Sequence, residues 1–334
     1  MEFMKRVYSS NTNTYIIYVI IALIVFGVAL FGDFVFDDTI FVVANKDIQS
    51  LGNFFKFFVT SPVSGAGLDV SNFYRPLETL AYALIYSMVG LTPFFFHLLP
   101  IILHTINALF VRKFLKILNF SSLAAFLGGI LFLIHPAQLE AVSYISGLAD
   151  PLALLFFFLA LFSVLKQKWT SLIWLILAFL SKEWVVMFLP IYLIISLYQW
   201  KGLDEATKRF RKLYVIPSSI ITLAYLMIKF TVLDFTGNGG LAESVPHIGT
   251  RLITFVSILW EYVKILFFPV HLYIERPYQY FYSMLTYQFI FGILLIIAVS
   301  AVIVFSFKRD KKLALGLLWV SIAIFPYTNI IPLN

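Results

Sequence analysis

The stretch YIIYVIIALIVFGVALFG, residues 15–32, carries no charge, and eight further apolar stretches follow it. A bilayer core takes about 20 such residues per helix, and in lipid every backbone amide must find its partner inside the helix or a closed barrel. Candidate spans lie near 14–31, 94–111, 121–134, 151–165, 169–181, 184–199, 214–230, 285–307 and 313–326, several of them short. Charged residues at 12% and hydrophobic residues at 61%, with a mean hydropathy of +0.94, exclude an ordinary soluble domain, which carries roughly 25% charge. The first stretch follows Lys5 and Arg6 and lacks a small-residue cleavage site, so it reads as an anchor rather than a removable signal. There is no soluble domain and no P-loop or Rossmann glycine pattern. Absence of Cys removes disulfides and thiolate metal sites.

The net charge of +7 does not point to nucleic acid, because the basic residues sit in clusters between spans. These are Arg112, Lys113 and Lys116; Lys166 and Lys168; Lys201 through Lys212; and Lys308 through Lys312. Placed inside together with the N-terminal tail, they account for sixteen of the 24 Lys and Arg residues. The N-terminus is then cytoplasmic. The same topology leaves thirteen of the 17 carboxylates at or near the outer face. Acids contribute little to topology, so their accumulation on one side calls for an outward-facing acidic site. Parity requires 75–90 and 251–268 to lie at the outer interface rather than cross. Residues 32–73 form a long outer loop, and loops of that length are usually functional. The expected fold is an all-α integral membrane bundle of about nine to eleven helices with interfacial helices after its first outer loop. It is read as one transmembrane domain over 1–334, ending at FPYTNIIPLN as a truncated copy of something longer would.

Several groups carry candidate chemistry. Asp37 and Asp38, in FGDFVFDDTIF, are adjacent carboxylates in apolar surroundings where an acid becomes a useful base or gathers a cation; chance acids in a solvated loop are the plainer reading. Arg75 has the planar fork that holds a phosphate bidentately, or it snorkels to lipid headgroups. His97 and His104 lie about two turns apart on one helix face, followed by Asn107. That spacing does not suit a zinc pair. Helix-to-helix hydrogen bonds are the expectation for His104 and Asn107, while His97 lies nearer the outer end. In IHPAQLEAVSYISGLADPLA, residues 134–153, His135, Glu140 and Asp150 share one outer connection, and Asp150 before Pro151 is also a candidate N-cap. Lys182 and Glu183 of SKEW lie between two apolar helices, where the lysine meets a lipid phosphate or pairs with an acid. Asp33, Asp47, Asp234, Glu243 and His247 read as loop residues.

In this order, FDDTIFVVANKDI, YRPLETLAYALIYSMVGLTPFFFHLLPIILHTIN, HPAQLEAVSYISGLADPLA and LSKEW resemble the transmembrane O-mannosyltransferases that carry tetratricopeptide repeats and their shorter prokaryotic relatives, within the C-type (GT-C) glycosyltransferases. The resemblance runs through most of 33–190 and weakly to the end. It implies a multi-pass enzyme of the plasma membrane in a prokaryote or the endoplasmic reticulum in a eukaryote. Such an enzyme takes a sugar, with mannose the first expectation, from a polyprenyl-phosphate carrier on the extracytoplasmic or luminal face. The acceptor is a protein, glycan or lipid hydroxyl, and the anomeric centre inverts. The family's first acidic motif maps onto Asp37 and Asp38, its second onto His135, Glu140 and Asp150, and its positive positions onto Arg75 and Lys182. A divalent cation, Mg or Mn, would be held by Asp38 and Glu140 if one is used. The chain departs from the family at Leu148, where an arginine is familiar, and in lacking the repeats. A transporter or lipid flippase is the competing class, but no convincing internal repeat supports it.

Overall fold

The computed structural model describes residues 11–68, 73–231, 247–270, 272 and 280–328; Lys5, Arg6, Asp234 and Glu243 lie outside them. Among the described residues all regular structure is helical. Two compact units are distinguished, Met1–Val185 with Tyr225–Phe235, and Val186–Ala224 with Thr236–Asn334.

In the first unit, α1 (Asn11–Phe26) runs on into a 3-10 turn, followed by α2 (Pro76–Val89), α3 (Pro93–Ile117), α4 (Ser122–Ile134), the short α5 (Leu139–Ser143), α6 (Ala149–Leu165) and α7 (Ser171–Phe179). Their ends follow from local chemistry. Pro76 and Pro93 open α2 and α3 at positions where a missing N–H costs nothing. The Ser121 side chain caps α4 by accepting from the Ala124 amide. Gly90 ends α2 with a φ of +63° that a side chain would resist. The second unit holds α8 (Phe188–Gln199), most of α9 (Glu205–Thr231), α10 (Ile248–Phe267), α11 (Tyr287–Arg309) and α12 (Lys311–Ala323).

Among the described residues six helical segments are long and apolar enough to cross a membrane, or seven if the bent pair Ser122–Ile134 and Pro136–Ser143 is one span. The nine to eleven membrane helices expected include shorter apolar stretches. The stretch at 169–181 forms a helix of only 9 residues and that at 313–326 one of 13, which reach about 14 and 20 Å against a core of about 30 Å. An apolar run reports burial in lipid or protein, but not how many of its residues are helical. The α2 helix, at 14 residues, also falls short of a span.

The α1 helix is fixed by a close approach. The Tyr18 hydroxyl donates to the Phe126 carbonyl of α4 at 2.7 Å, and a Cβ at Gly129 would lie 2.2 Å from that hydroxyl and 2.8 Å from the Ala108 carbonyl of α3. Gly129→Val should therefore destabilise the protein by about 1–3 kcal/mol through overpacking. A lowered thermal midpoint in detergent would register it, and an unchanged midpoint would refute the tight three-helix contact. On α3, His104 Nε2 lies 3.0 Å from the Leu133 carbonyl, and the Asn107 amide donates to the Pro151 carbonyl at 2.8 Å. Both are the helix-to-helix bonds expected.

The described part of the 32–73 loop is folded rather than loose. Short helical turns at Thr39–Val43, Lys46–Gln49, Leu51–Asn53, Lys56–Phe58 and Ser64–Ala66 bury Phe41, Val42, Ile48, Phe57 and Val63 with Tyr82, Ala83 and Ile85 of α2 and Phe96 of α3. Asp47, read from sequence as a solvated loop residue, is buried. Its carboxylate accepts from Lys56 Nζ at 2.6 Å and Ser64 Oγ at 2.9 Å. The Asn45 amide donates to the Phe41 and Pro62 carbonyls. The Asn45 bonds satisfy two backbone carbonyls of a segment that has only short helical turns, and the Asp47 bonds tie those turns to one another. The loop thereby becomes a rigid platform on α2 for the acids at its start.

Candidate active site

Asp37 and Asp38 leave the end of the first span through a strained turn. Phe36, just before them, has a φ of +47°, a region disfavoured for a bulky side chain and held only where the surroundings impose it. What imposes it is Asp38, two residues on. Asp38 is fully buried, one oxygen accepting from the Val35 amide at 3.0 Å and the other from the Ser146 amide and hydroxyl at 2.9 and 2.5 Å. The turn is thus pinned to residues 144–150. The Asp37 amide donates to the Tyr144 hydroxyl at 2.9 Å, while the Asp37 side chain is exposed. Adjacent acids that sequence could not tell apart have different positions: Asp38 faces inward and its oxygens are engaged, whereas Asp37 faces out. Burial, listening also to the charges of Asp37 and Asp38, lifts the Tyr144 hydroxyl to about 12, so it stays protonated.

The same segment holds the cations. Asp150, at the start of α6, does not cap it. Its carboxylate accepts instead from Lys182 Nζ at 2.7 Å and from the Trp184 indole at 3.1 Å. Glu78 of α2 is fully buried, accepting from the Tyr82 hydroxyl and the Ala149 amide, each at 3.1 Å. Tyr82 in turn also donates to the Ile145 carbonyl at 2.8 Å. Arg75 lies 3.8 Å from Glu78 and 3.9 Å from Glu183 and over the Phe73 ring at 4.3 Å. Glu183 also meets Lys229 Nζ at 3.3 Å. Arg75, Lys182 and Lys229 therefore face Glu78, Asp150 and Glu183, an equal number of each sign. Burial works against the Arg75 charge, but Glu183 and Glu78 outweigh it and raise its pKa. Burial pushes the Glu78 carboxyl up against the opposing pull of Arg75 and Lys182.

These surroundings separate the two positive positions read from sequence. Arg75 is buried with carboxylates on either side, whereas Lys182 is the more exposed cation, with a side-chain exposure of 19% against 10%. His97 is buried on α3 below the acid turn, with Nε2 against Gly32; neither ring nitrogen has a hydrogen bond of good geometry. His135 opens the 3-10 turn after α4, its Nδ1 accepting from the Ala137 amide at 3.2 Å. Glu140 on α5 is exposed. Leu148, where the family pattern suggests arginine, is fully buried in the core with Ile145 and Phe96. No group of three or more His, Asp or Glu side chains that could hold a metal ion occurs among the described residues, and the oxygens of Asp38 are already engaged, so the arrangement does not fit an Asp38–Glu140 cation site.

Sequence reasoning passed over Glu78, Tyr144, Ser146 and Lys229 as site residues. Glu78 carried a signal, since an acid in an otherwise apolar helix must find a partner. Ser146 and Lys229 carried none, because their importance lies in what the fold brings to them. A pH test follows from Glu78. A group whose folded pKa is raised contributes stability in acid that is lost as pH climbs through that pKa. The wild type should therefore lose thermal stability relative to Glu78→Gln as pH rises above 4.5, the ordinary value for this carboxyl. Parallel melting curves would show that Glu78 does not carry this strain.

Fold and site together define a multi-pass, all-helical membrane protein with a compact acid and cation cluster at one end of its first unit. The chain is similar to proteins named protein O-mannosyl-transferases. It is 27% identical over 274 residues to one from Caenorhabditis elegans, covering 79% of this chain and 39% of that protein. It is 35% identical over 142 residues to protein O-mannosyl-transferase TMTC1 of Homo sapiens, covering 41% of this chain and 16% of that one. Against protein O-mannosyl-transferase Tmtc1 of Drosophila melanogaster it is 27% identical over 270 residues, covering 72% of this chain and 31% of that one. These similarities agree with the resemblance carried by the motifs. The chain spans about two-fifths or less of the length of these relatives. No family model and no solved structure matches it.

Proposed function

We propose that the protein is a glycosyltransferase that moves a sugar, mannose by the names of its relatives, from a polyprenyl-phosphate carrier to an acceptor hydroxyl on the extracytoplasmic or luminal face. The observation that carries this reading is that one segment, 144–150, holds both the turn bearing the exposed Asp37 and the Lys182–Asp150 pair. Phosphate is a good leaving group, so the chemistry needs a base for the acceptor and a positive charge for the phosphate more than an acid. Asp37 is the base, taking the proton as the hydroxyl attacks the anomeric carbon from the face opposite the phosphate, with inversion. Lys182 meets the charge that grows on the departing phosphate, and Arg75 acts behind it as a positioning residue between Glu78 and Glu183. Asp38 and Ser146 set the direction of the Asp37 carboxylate. Glu140 and His135, on the same outer connection, orient sugar hydroxyls, and His97 supports the acid turn from beneath.

The test is transfer from radiolabelled polyprenyl-phosphate mannose to a Ser/Thr peptide by the purified full chain, with donor binding measured separately. Lys182→Gln should weaken donor binding about tenfold, as loss of one charge-assisted phosphate contact implies. A chain that binds no polyprenyl-phosphate sugar at all would remove this reading in favour of a transporter.

A further inference from the structure

In the second unit a groove of about 230 Å³ lies between α8 and the α11–α12 corner. Its floor on α8 is Ile194 and Leu197, and on α12 Leu315 and Leu318, each pair one turn apart. Leu197 is 70% exposed and Phe307, on α11, 51%, so the groove opens onto the surface that faces lipid. A lysine stands at one end of each wall: Lys201 follows Ile194 by seven residues beyond α8, and Lys311 precedes Leu318 by seven at the start of α12. Seven residues are two helical turns, about 10 Å. Lys201 follows the end of its wall's helix, Lys311 begins its own, and both line this one groove.

The neighbouring acids do not neutralise these lysines. Asp310 accepts from the Lys312 and Leu313 amides and caps α12; Asp204 accepts from Thr207 and Glu205 pairs with Lys208. Neither Lys201 nor Lys311 forms an ion pair among the described residues. Tyr198, also in the lining, adds a hydroxyl donor of the kind placed at membrane interfaces. Close in sequence to these lysines are Arg209, Lys212, Lys308 and Arg309, in clusters that the distribution of positive charge assigns to the cytoplasmic surface.

We propose that the groove binds an anionic phospholipid of the cytoplasmic leaflet, with its phosphate between Lys201 and Lys311 and an acyl chain along Leu197 and Leu315. An apolar slot with paired cations at the headgroup level matches such a lipid and discriminates against a zwitterionic one, whose amine would meet the same lysines. The site lies in a different unit from the transfer site, so it neither needs nor tests the glycosyltransferase reading.

The experiment is native mass spectrometry of the full chain with phosphatidylglycerol and phosphatidylcholine offered together. The wild type should retain phosphatidylglycerol roughly tenfold or more over phosphatidylcholine, given about one kcal/mol per basic residue near the surface. Lys201→Gln with Lys311→Gln should bring the two lipids to near parity, and the charge-matched Lys166→Gln with Lys168→Gln should leave the preference intact. Both groove lysines are exposed, so their replacement leaves the fold standing. An absent preference in the wild type, a preference that survives in the groove variant, or its equal loss in the control would each overturn the proposal. Displacement of phosphatidylglycerol by a lower concentration of polyprenyl phosphate, through the same lysines, would make the carrier lipid the occupant instead.

Discussion

Asp37→Asn should lower sugar transfer by about 10²–10⁴-fold, the range for loss of a positioned general base, while leaving expression and thermal midpoint near those of the wild type. Asp37 is tied to the fold through its backbone, the amide donating to Tyr144 and the carbonyl accepting from the Ile40 and Phe41 amides, and the exposed side chain can change without cost. Asp38→Ala should behave differently. It strips the acceptor from the Val35 amide and from the Ser146 amide and hydroxyl, and each buried donor left unpaired costs about 1–3 kcal/mol. The turn at Phe36 would then lose its restraint, and activity would fall together with stability. Kinetics and melting on both variants decide the matter. If Asp37→Asn transfers sugar at the wild-type rate, the assignment of the base fails, and if Asp38→Ala melts as the wild type does, Asp38 does not hold the turn.

The second large effect is expected at Arg75. Its removal leaves Glu78 and Glu183 buried with one fewer cation, and breaking a buried pair from one side costs about 3–5 kcal/mol. Arg75→Ala should therefore reduce the yield of folded protein and lower its melting midpoint sharply. Replacing both Arg75 and Glu78 with apolar residues of similar volume should recover much of that loss, since the charge left behind is the source of the penalty. Lys182→Gln, by contrast, should keep its fold and lose donor affinity. If Arg75→Ala folds normally and only donor binding suffers, the arginine meets the phosphate itself and the buried-network account is wrong.

The membrane class was legible, and so was the presence of acids and cations near span ends, because each follows from a local property. Apolar runs, the side preference of Lys and Arg, and bare acids at span ends need no tertiary knowledge. The different duties of Asp37 and Asp38 were not legible, because a serine more than a hundred positions away decides them. Asp47 misled for a related reason: Lys56 and Ser64 fold back to it and turn an ordinary loop acid into a buried brace. Lys182 was open to a lipid phosphate or an acidic partner from its position in SKEW; the acid that meets it is Asp150, 32 positions away, which no local pattern names. Helix lengths were not legible where a short helix is clothed in apolar residues, as at 171–179, which buries Leu175, Ala178 and Phe179 in only 9 residues.

The Glu183–Lys229 pair joins residues 46 positions apart, and it sets an order of events during synthesis. When Glu183 first reaches the membrane, its lysine has not yet been made. Arg75 is already in place to meet the carboxylate, but its second cation is missing until the last turn of α9 arrives. Chains arrested before residue 229 should accordingly remain accessible to insertion machinery and its quality control, and release should coincide with the emergence of that lysine rather than with the length of apolar sequence already inserted.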